Sequence, residues 1–480
     1  MKKTREEKQI KKNKINILIV TSLIIAVFTA MSVYIVNYSI SNRQVLISNS
    51  YNGRQKILAA KNIRGTIYSR DGDVLVSSSV NKEGNEVRNY AYGNMFSHVL
   101  GYAVNGRMGV EDAANYYLIN SNAPISVKAK ADAEGKKYPG DSVYTTLDLD
   151  LQKVAFDAMG IYQGAVIVTE PETGKILCMV SKPDFDPASI VEKWDEYLND
   201  SESGVLVNRV TQGKYPPGST FKIITALEYI RENPENYNGY SYTCTGSIKR
   251  GDETIRCYHG TVHGQVDFKR SFAKSCNSSF ANIGLSLDKE QFNKTLDDLL
   301  FNKNLPTDLV STKSNLRIAN DMADEDLIQV AIGQGQANIS PLQLNMITSA
   351  IANNGVLMKP YVIDRIENSS NTVIKAFKPE SYGKLLSEDE ALIMQDLFRS
   401  VVEEGTASKL KDSPYSSGGK TGSAEFGTVK GESHAWFTGY AKDDTGKTIC
   451  VTVIIESAGS GGDYAVPIAK RIFDAYFGEY

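Results

Sequence analysis

The chain is poor in the residues that build redox and metal sites: it has five cysteines and four histidines in 480 residues. Neither a Cys-x-x-Cys nor a His-Glu-x-x-His frame occurs, so neither a metal site nor a cofactor is expected, although His259 and His263 lie close to Cys257. Five cysteines are too few for a disulfide scaffold, and an odd count leaves at least one unpaired. Cys178 and Cys450 lie in apolar, strand-like runs and read as buried thiols. Cys244 and Cys257 flank a polar turn, Gly246 to Asp252, and are either paired across that short loop or free. Internal repeats and low-complexity tracts are also lacking. With 41% hydrophobic and 23% charged residues, the composition is that of a folded protein. A large basic surface is missing too. Residues 1–14 carry seven Lys or Arg against two Glu, which leaves 46 basic and 54 acidic side chains elsewhere. An acidic body with a basic tip excludes nucleic acid as the main partner, because little remains to neutralise phosphates.

The segment after the basic tip gives it a purpose. The 22 residues from Ile15 to Val36 hold no charge. As a helix they measure about 33 Å, enough to cross a hydrocarbon core of about 30 Å. The lysine-rich side stays in the cytoplasm, which puts the chain after Asn37 outside the cell membrane as a single-pass protein. A cleaved signal peptide is the rival reading, but its apolar region is usually shorter, and Ser39-Ile40-Ser41 is a poor cleavage site. An uncleaved anchor is therefore expected.

The chain divides into four segments: the cytoplasmic tip 1–14, the transmembrane helix 15–36, an anterior module 37–148 and a large domain 149–480. Residues 37–60 read as a polar helical stalk. Asn62 to Asp73 reads as a strand and an Asp-Gly turn leading to the strand Val74-Leu75-Val76. Nothing in the anterior module pairs a nucleophile with a base. Beyond Thr145-Thr146-Leu147-Asp148 an amphipathic helix runs from Leu149 to Met159. Gly164–Thr169 and Lys175–Val180 form one hairpin; His434–Tyr440 and Thr448–Ile455 form a second, with helical stretches between the two and at the C-terminal end. A sheet assembled from both ends of a domain with helices on its faces is an α+β arrangement.

Three short motifs carry chemistry. In Tyr215-Pro216-Pro217-Gly218-Ser219-Thr220-Phe221-Lys222 the Pro-Gly pair stops the preceding segment, so Ser219 opens a helix. Unpaired N–H groups there favour a developing anion. Lys222, three residues on, shares a face with Ser219 and can act as base if burial keeps it neutral. Ser275-Cys276-Asn277 adds a hydroxyl that can pass protons and an amide that can hold a lysine or a substrate carbonyl. Gly418 to Glu425 contains Lys420-Thr421-Gly422-Ser423. There Lys420 and Thr421 can bind a carboxylate, Gly422 admits a ligand backbone, and the Ser423 N–H can serve an oxyanion. Each motif alone is weak, a helix-surface pair or a turn; in this order and these settings they are strong.

The trio is shared by penicillin-binding proteins and the related β-lactamases. The chain resembles a class B penicillin-binding protein, the monofunctional peptidoglycan D,D-transpeptidase, over nearly its whole length. Further matching residues are Arg64-Gly65, Arg70-Asp71-Gly72, Gly109-Val110-Glu111, Asn208-Arg209, Gly333-Gln334-Gly335-Gln336, Ser340-Pro341-Leu342-Gln343, Ala352-Asn353-Asn354-Gly355 and Glu404-Gly405-Thr406. The resemblance implies a small mixed pedestal of the dimerisation type, followed by a transpeptidase domain with an antiparallel sheet flanked by helices. It also implies acylation of Ser219 by stem peptides ending in D-Ala-D-Ala and by β-lactams. Lys222 is then the base, Ser275 with Asn277 the relay, and Lys420 with Thr421 the carboxylate site. A polytopic membrane glycosyltransferase of the elongation or division type is the implied partner, with contacts near Arg64-Gly65 and Glu111. Cys276 and Ser423 are mild departures from the family pattern. No glycosyltransferase domain is recognisable. No residue placed as a deacylating base is recognisable either, and with the extended anterior module and the anchor this argues against a β-lactamase. A D,D-carboxypeptidase and a β-lactam-binding scaffold or sensor remain as alternatives.

Overall fold

The computed structural model describes residues 4–41, 53–200, 202–425 and 432–478. It forms two compact units, Met1–Lys61 and Asn62–Tyr480. Part of the expected stalk, 42–52, lies outside the described residues.

The first unit is dominated by one helix, Arg5–Ser41, with no buried residue. Ile17, Leu18, Leu23, Ile24 and Phe28 are among its exposed apolar side chains. Among the described residues it is the one helix long and apolar enough to cross a membrane, and lipid is the solvent that such an uncovered surface suits.

The second unit contains two large sheets. The first has six strands, in the order Val373–Ala376, Ile363–Glu367, Ser142–Thr145, Ile67–Tyr68, Val74–Val80 and Glu86–Tyr90. The Asp71-Gly72 turn closes the hairpin between the fourth and fifth, with Gly72 at φ +97° as such a turn requires. Ser142–Thr145 pairs in parallel with Ile67–Tyr68 and antiparallel with Ile363–Glu367. The sheet therefore takes strands from both sides of residue 148. At its base Glu111, fully buried, accepts from the Nε atoms of Arg64 (2.6 Å) and Arg88 (2.7 Å). Arg88 also donates to the Gly65 carbonyl. Burial by itself would raise the Glu111 carboxyl; the two guanidiniums outweigh it and hold the group below the usual carboxylate range. Glu111 is thus an internal brace of the pedestal and offers no surface of its own to a partner.

The second sheet has five antiparallel strands in the order Ser416–Glu425, Ser433–Lys442, Thr448–Ile455, Gly164–Thr169 and Ile176–Lys182. Both hairpins read from the sequence are present, joined through Thr448–Ile455 and Gly164–Thr169. Every residue of the last three strands is buried, which requires cover on both faces. Pro341–Ala352 lies on the face bearing Thr169, Thr438 and Thr452, to which Asn345 and Thr348 hydrogen-bond. Leu149–Met159 and Val466–Phe477 pack on each other and on the sheet. The Asp148 carboxylate caps the first of these by accepting from Leu151 N–H, 2.9 Å. The stretch between the hairpins is not wholly helical. A short hairpin and a second antiparallel strand pair occupy 241–267, and four strands lie within 356–384, two of them in the first sheet. These segments are polar and only half-buried, so their sequence shows no apolar alternation to mark them.

Candidate active site

Tyr215 exchanges two backbone hydrogen bonds with Ile339, and the Pro216 carbonyl accepts from Trp436 Nε1, 3.1 Å. The chain then turns at Gly218 (φ +52°), whose N–H donates to the Gly333 carbonyl at 2.9 Å. A Cβ at 218 would stand 2.9 Å from Ala424 Cα and from the Ser423 carbonyl, so only glycine lets this turn approach the strand so closely. Ser219 sits in the single 3-10 turn Gly218–Phe221 that opens the helix Lys222–Glu232. The turn is wedged between the strand edge and the Gly333 loop, which is the structural use of the Gly333–Gln336 motif. Gly422 serves the same approach: a Cβ there would lie 3.0 Å from the Pro217 carbonyl and 3.1 Å from Trp436 Cβ. Its smallness accommodates the turn that carries Ser219, and Gly422 also lines the cavity in front.

Behind the serine, two fully buried lysines meet one hydroxyl. Lys222 Nζ donates to Asn277 Oδ1 (2.6 Å), the Ser275 carbonyl (2.8 Å) and Ser275 Oγ (3.2 Å). Lys420 Nζ donates to the same Ser275 Oγ at 2.9 Å and to the Thr421 carbonyl. A charged lysine has three N–H bonds, so Lys222 uses all of them and must lose one proton before it can take another. Burial does the work: it lowers Lys222 to about 8, against a smaller upward pull from Cys276 and Cys257. Burial, then the charge of Lys222, pushes Lys420 far below its ordinary value. Ser275 accepts from both amines, so its own O–H is free to point elsewhere. Its backbone is left-handed (φ +54°), just before the helix Asn277–Ser286, and Asn277 Nδ2 ties the motif to the Arg256 carbonyl at 2.8 Å.

In front lies a cavity of about 620 Å³, lined by Ser219, Ser275, Asn277, Thr421, Gly422 and Ser423 among others. Lys420 stands behind this wall. Thr421 and Thr406 exchange a hydroxyl hydrogen bond at the cavity surface. This gives the Glu404-Gly405-Thr406 motif a place in the site that the sequence does not disclose. Lys274, Lys409 and Arg270 lie around the rim. The one carboxylate among the described lining residues, Asp463, is paired with Lys409 at 3.2 Å.

Cys244 and Cys257 come within 3.7 Å, both with free thiols, so no disulfide links them here. Cys276 and His263 join them in one cluster. The expectation that no metal-ligating group would form rested on spacing along the chain. Spacing does not disclose this cluster, whose members are a strand residue, Cys244, and three residues of separate connecting segments.

A buried lysine pair around one serine, set behind an accessible serine at a helix start, on an antiparallel sheet with flanking helices, defines an active-site-serine acyltransferase. The penicillin binding protein transpeptidase domain family matches residues 164–474, and the penicillin binding protein A dimerisation domain family matches residues 64–143. The chain belongs to the penicillin-binding protein transpeptidase family and is of class B, as the motifs lead one to expect. A curated relative, peptidoglycan D,D-transpeptidase PbpA of Mycolicibacterium smegmatis, is 29% identical over 401 residues, covering 78% of this chain and 80% of that protein. The penicillin G acyl-enzyme complex of penicillin-binding protein A from M. tuberculosis superposes with a TM-score of 0.77 at 25% identity, over 87% of this chain and 100% of the other. A structure described as the structural coordination of polymerization and crosslinking by a peptidoglycan synthase complex shares the fold (TM-score 0.73, 22% identity), over 95% of this chain and 98% of its own.

Proposed function

We propose that this protein cross-links peptidoglycan stem peptides through an acyl-enzyme on Ser219, and that β-lactams acylate the same oxygen. The observation that carries the reading is the meeting of Lys222 and Lys420 on Ser275 Oγ immediately behind the cavity that Ser219 lines. Neutral Lys222 takes the Ser219 proton as Oγ attacks the penultimate D-Ala carbonyl. The N–H groups of Ser219 and Ser423 receive the oxyanion. The proton returns through the Ser275 hydroxyl to the departing D-Ala amine, and an acceptor amine reverses the sequence. Thr421 and Thr406 present hydroxyls to the terminal carboxylate, with the Lys420 amine behind them.

The segments divide accordingly: 1–14 cytoplasmic, 15–36 in the membrane, 37–148 a non-catalytic pedestal, 149–480 the transpeptidase domain outside. The basic tip supports that orientation. A polytopic membrane glycosyltransferase is the proposed partner, supported by the synthase complex whose fold the chain shares.

The test is intact-mass analysis of the full chain in detergent after exposure to penicillin G, followed by a turnover assay with D-Ala-D-Ala substrate and a free amine acceptor. A single adduct on the peptide containing Ser219, absent from Ser219→Ala, and product joined to the amine support the reading. Hydrolysis without amine transfer would make the protein a carboxypeptidase, and no adduct at all would make it a scaffold.

A further inference from the structure

Residues 241–267 form a small lobe beside the active site: Ser241–Cys244 pairs antiparallel with Gly264–Asp267, and between them lie the short hairpin 247–256 and a 3-10 turn, Tyr258–Gly260. A lobe of this size has little apolar surface to bury and ordinarily needs a staple. At its heart lie Cys244, Cys257 and Cys276, all buried, with Tyr242 packed against them. His263 completes the group, and the four ligand atoms lie within 4.8 Å of one another.

The distances are those of a coordination sphere. Zinc bonds of about 2.3 Å to sulfur and 2.0–2.1 Å to nitrogen, arranged tetrahedrally, put sulfurs about 3.8 Å apart and sulfur about 3.5 Å from nitrogen. Cys244–Cys257 and Cys257–Cys276 are 3.7 and 3.8 Å apart, and Cys244 Sγ lies 3.4 Å from His263 Nδ1. A disulfide would need about 2.05 Å. The surroundings also treat sulfur as an acceptor, as metal thiolates require. The Gly246 N–H and the Ser278 hydroxyl both donate to Cys244 Sγ, at 3.4 and 3.2 Å. His263 lines the active-site cavity and Cys257 lines a second cavity of about 700 Å³, so an ion has a route in.

We propose that Cys244, Cys257, Cys276 and His263 bind one zinc ion as a closed tetrahedral site, and that this site holds the Ser275–Asn277 segment in register with Lys222. Binding replaces three thiol protons with three zinc–sulfur bonds and releases those protons to solvent. The coupling to the active site is covalent. Cys276 stands between Ser275, which is held at φ +54°, and Asn277, whose amide bonds the residue preceding Cys257. Fixing Cys276 and Cys257 on one ion fixes both neighbours that hold the Lys222 amine. The four ligands are positioning residues. The metal content tests the site whether or not Ser219 is the nucleophile, whereas its effect on acylation rests on the function proposed above.

The experiment is elemental analysis of the full chain purified in detergent from zinc-supplemented cells, paired with cobalt(II) exchange. About one zinc per chain and a thiolate-to-cobalt charge-transfer band are expected. Cys244→Ser and His263→Ala should lower metal affinity at least tenfold, while Cys178→Ser and Cys450→Ser, in the sheet, keep full occupancy. Chelation of the wild type should slow penicillin acylation at least tenfold, with recovery on adding zinc; this arm needs no variant to fold. A metal-free chain with all five thiols open to alkylation would overturn the proposal. So would a peptide map linking Cys257 to Cys244 or Cys276, or unchanged metal content in both ligand variants.

Discussion

Lys222 and Lys420 donate to one hydroxyl, that of Ser275, from 3.2 and 2.9 Å. Two ammonium groups cannot share such a spot cheaply, and burial makes the charge of each more costly. The arrangement favours a neutral amine; burial lowers both lysines, Lys420 the further, and Lys222, at the start of the helix that Ser219's turn opens, is the one placed as base for that serine.

The rate of acylation should therefore follow the neutral fraction of Lys222. Its folded value is lowered to about 8, so the base form is lost as pH falls below that point. Acylation by penicillin should fall about tenfold per pH unit below 8 and level off above it. A profile flat between about pH 6 and 9 would remove Lys222 from the role. Lys222→Arg should slow acylation by about 10²–10⁴-fold at every pH, because a guanidinium keeps its proton.

Thr406 is the site residue with the least signal in the sequence, and its contribution can be measured. Its hydroxyl bonds that of Thr421 across the cavity wall. Thr406→Val keeps the shape and deletes one hydrogen bond of about 1 kcal/mol, so acylation should slow about fivefold. The loss should be smaller for an analogue that lacks the terminal carboxylate. An equal loss for both would place Thr406 in general packing.

Glu111→Gln tests the pedestal brace. It removes the charge that two buried guanidiniums share, and breaking such a group costs about 3–5 kcal/mol. Earlier thermal loss and faster proteolysis within the anterior sheet are expected. The wild type should show the matching pH trend. Because the carboxyl is held below its ordinary value, the stabilisation is present above that ordinary value. It is lost as pH falls through the lowered one. A Glu111→Gln variant as heat-resistant as wild type would mean that the arginines find other partners.

The membrane helix, the two hairpins and the three motifs were legible because each depends on local pattern: an uncharged run, apolar runs rich in β-branched residues on either side of a turn, a Pro-Gly stop before a serine. The joining of distant segments was not. Ile363–Glu367 completes a sheet begun near Ile67, yet its own sequence carries no mark of that destination. The close approach of the Pro217 carbonyl to Gly422 is likewise unmarked in the chain. Cys244, Cys257, His263 and Cys276 have unremarkable spacings and converge only because the lobe 241–267 folds back at the start of the helix Asn277–Ser286. The resemblance puts partner contacts near Glu111, but that its own carboxylate is interior and held by Arg64 and Arg88 is not legible from one sequence.

The acyl-enzyme should be long-lived toward water and short-lived toward an amine. Water needs a base to attack the Ser219 ester. Asp463, the one carboxylate among the described residues lining the cavity, is held by Lys409. The imidazole there, His263, has its Nδ1 against Cys244. Lys222 can serve only an attacker that is held in line, and a water has no contacts to hold it there. An acceptor peptide brings its own contacts, and holding its amine close contributes several kcal/mol as effective concentration. The penicilloyl adduct of the full chain should then persist for at least tens of minutes, a barrier of about 22 kcal/mol or more. Mass spectrometry of the adduct over time, with and without an amine acceptor, measures both. Penicillin turnover on the order of one per second would show a water-activating group in the cavity and make the protein a hydrolase, since no slower step could then protect the ester.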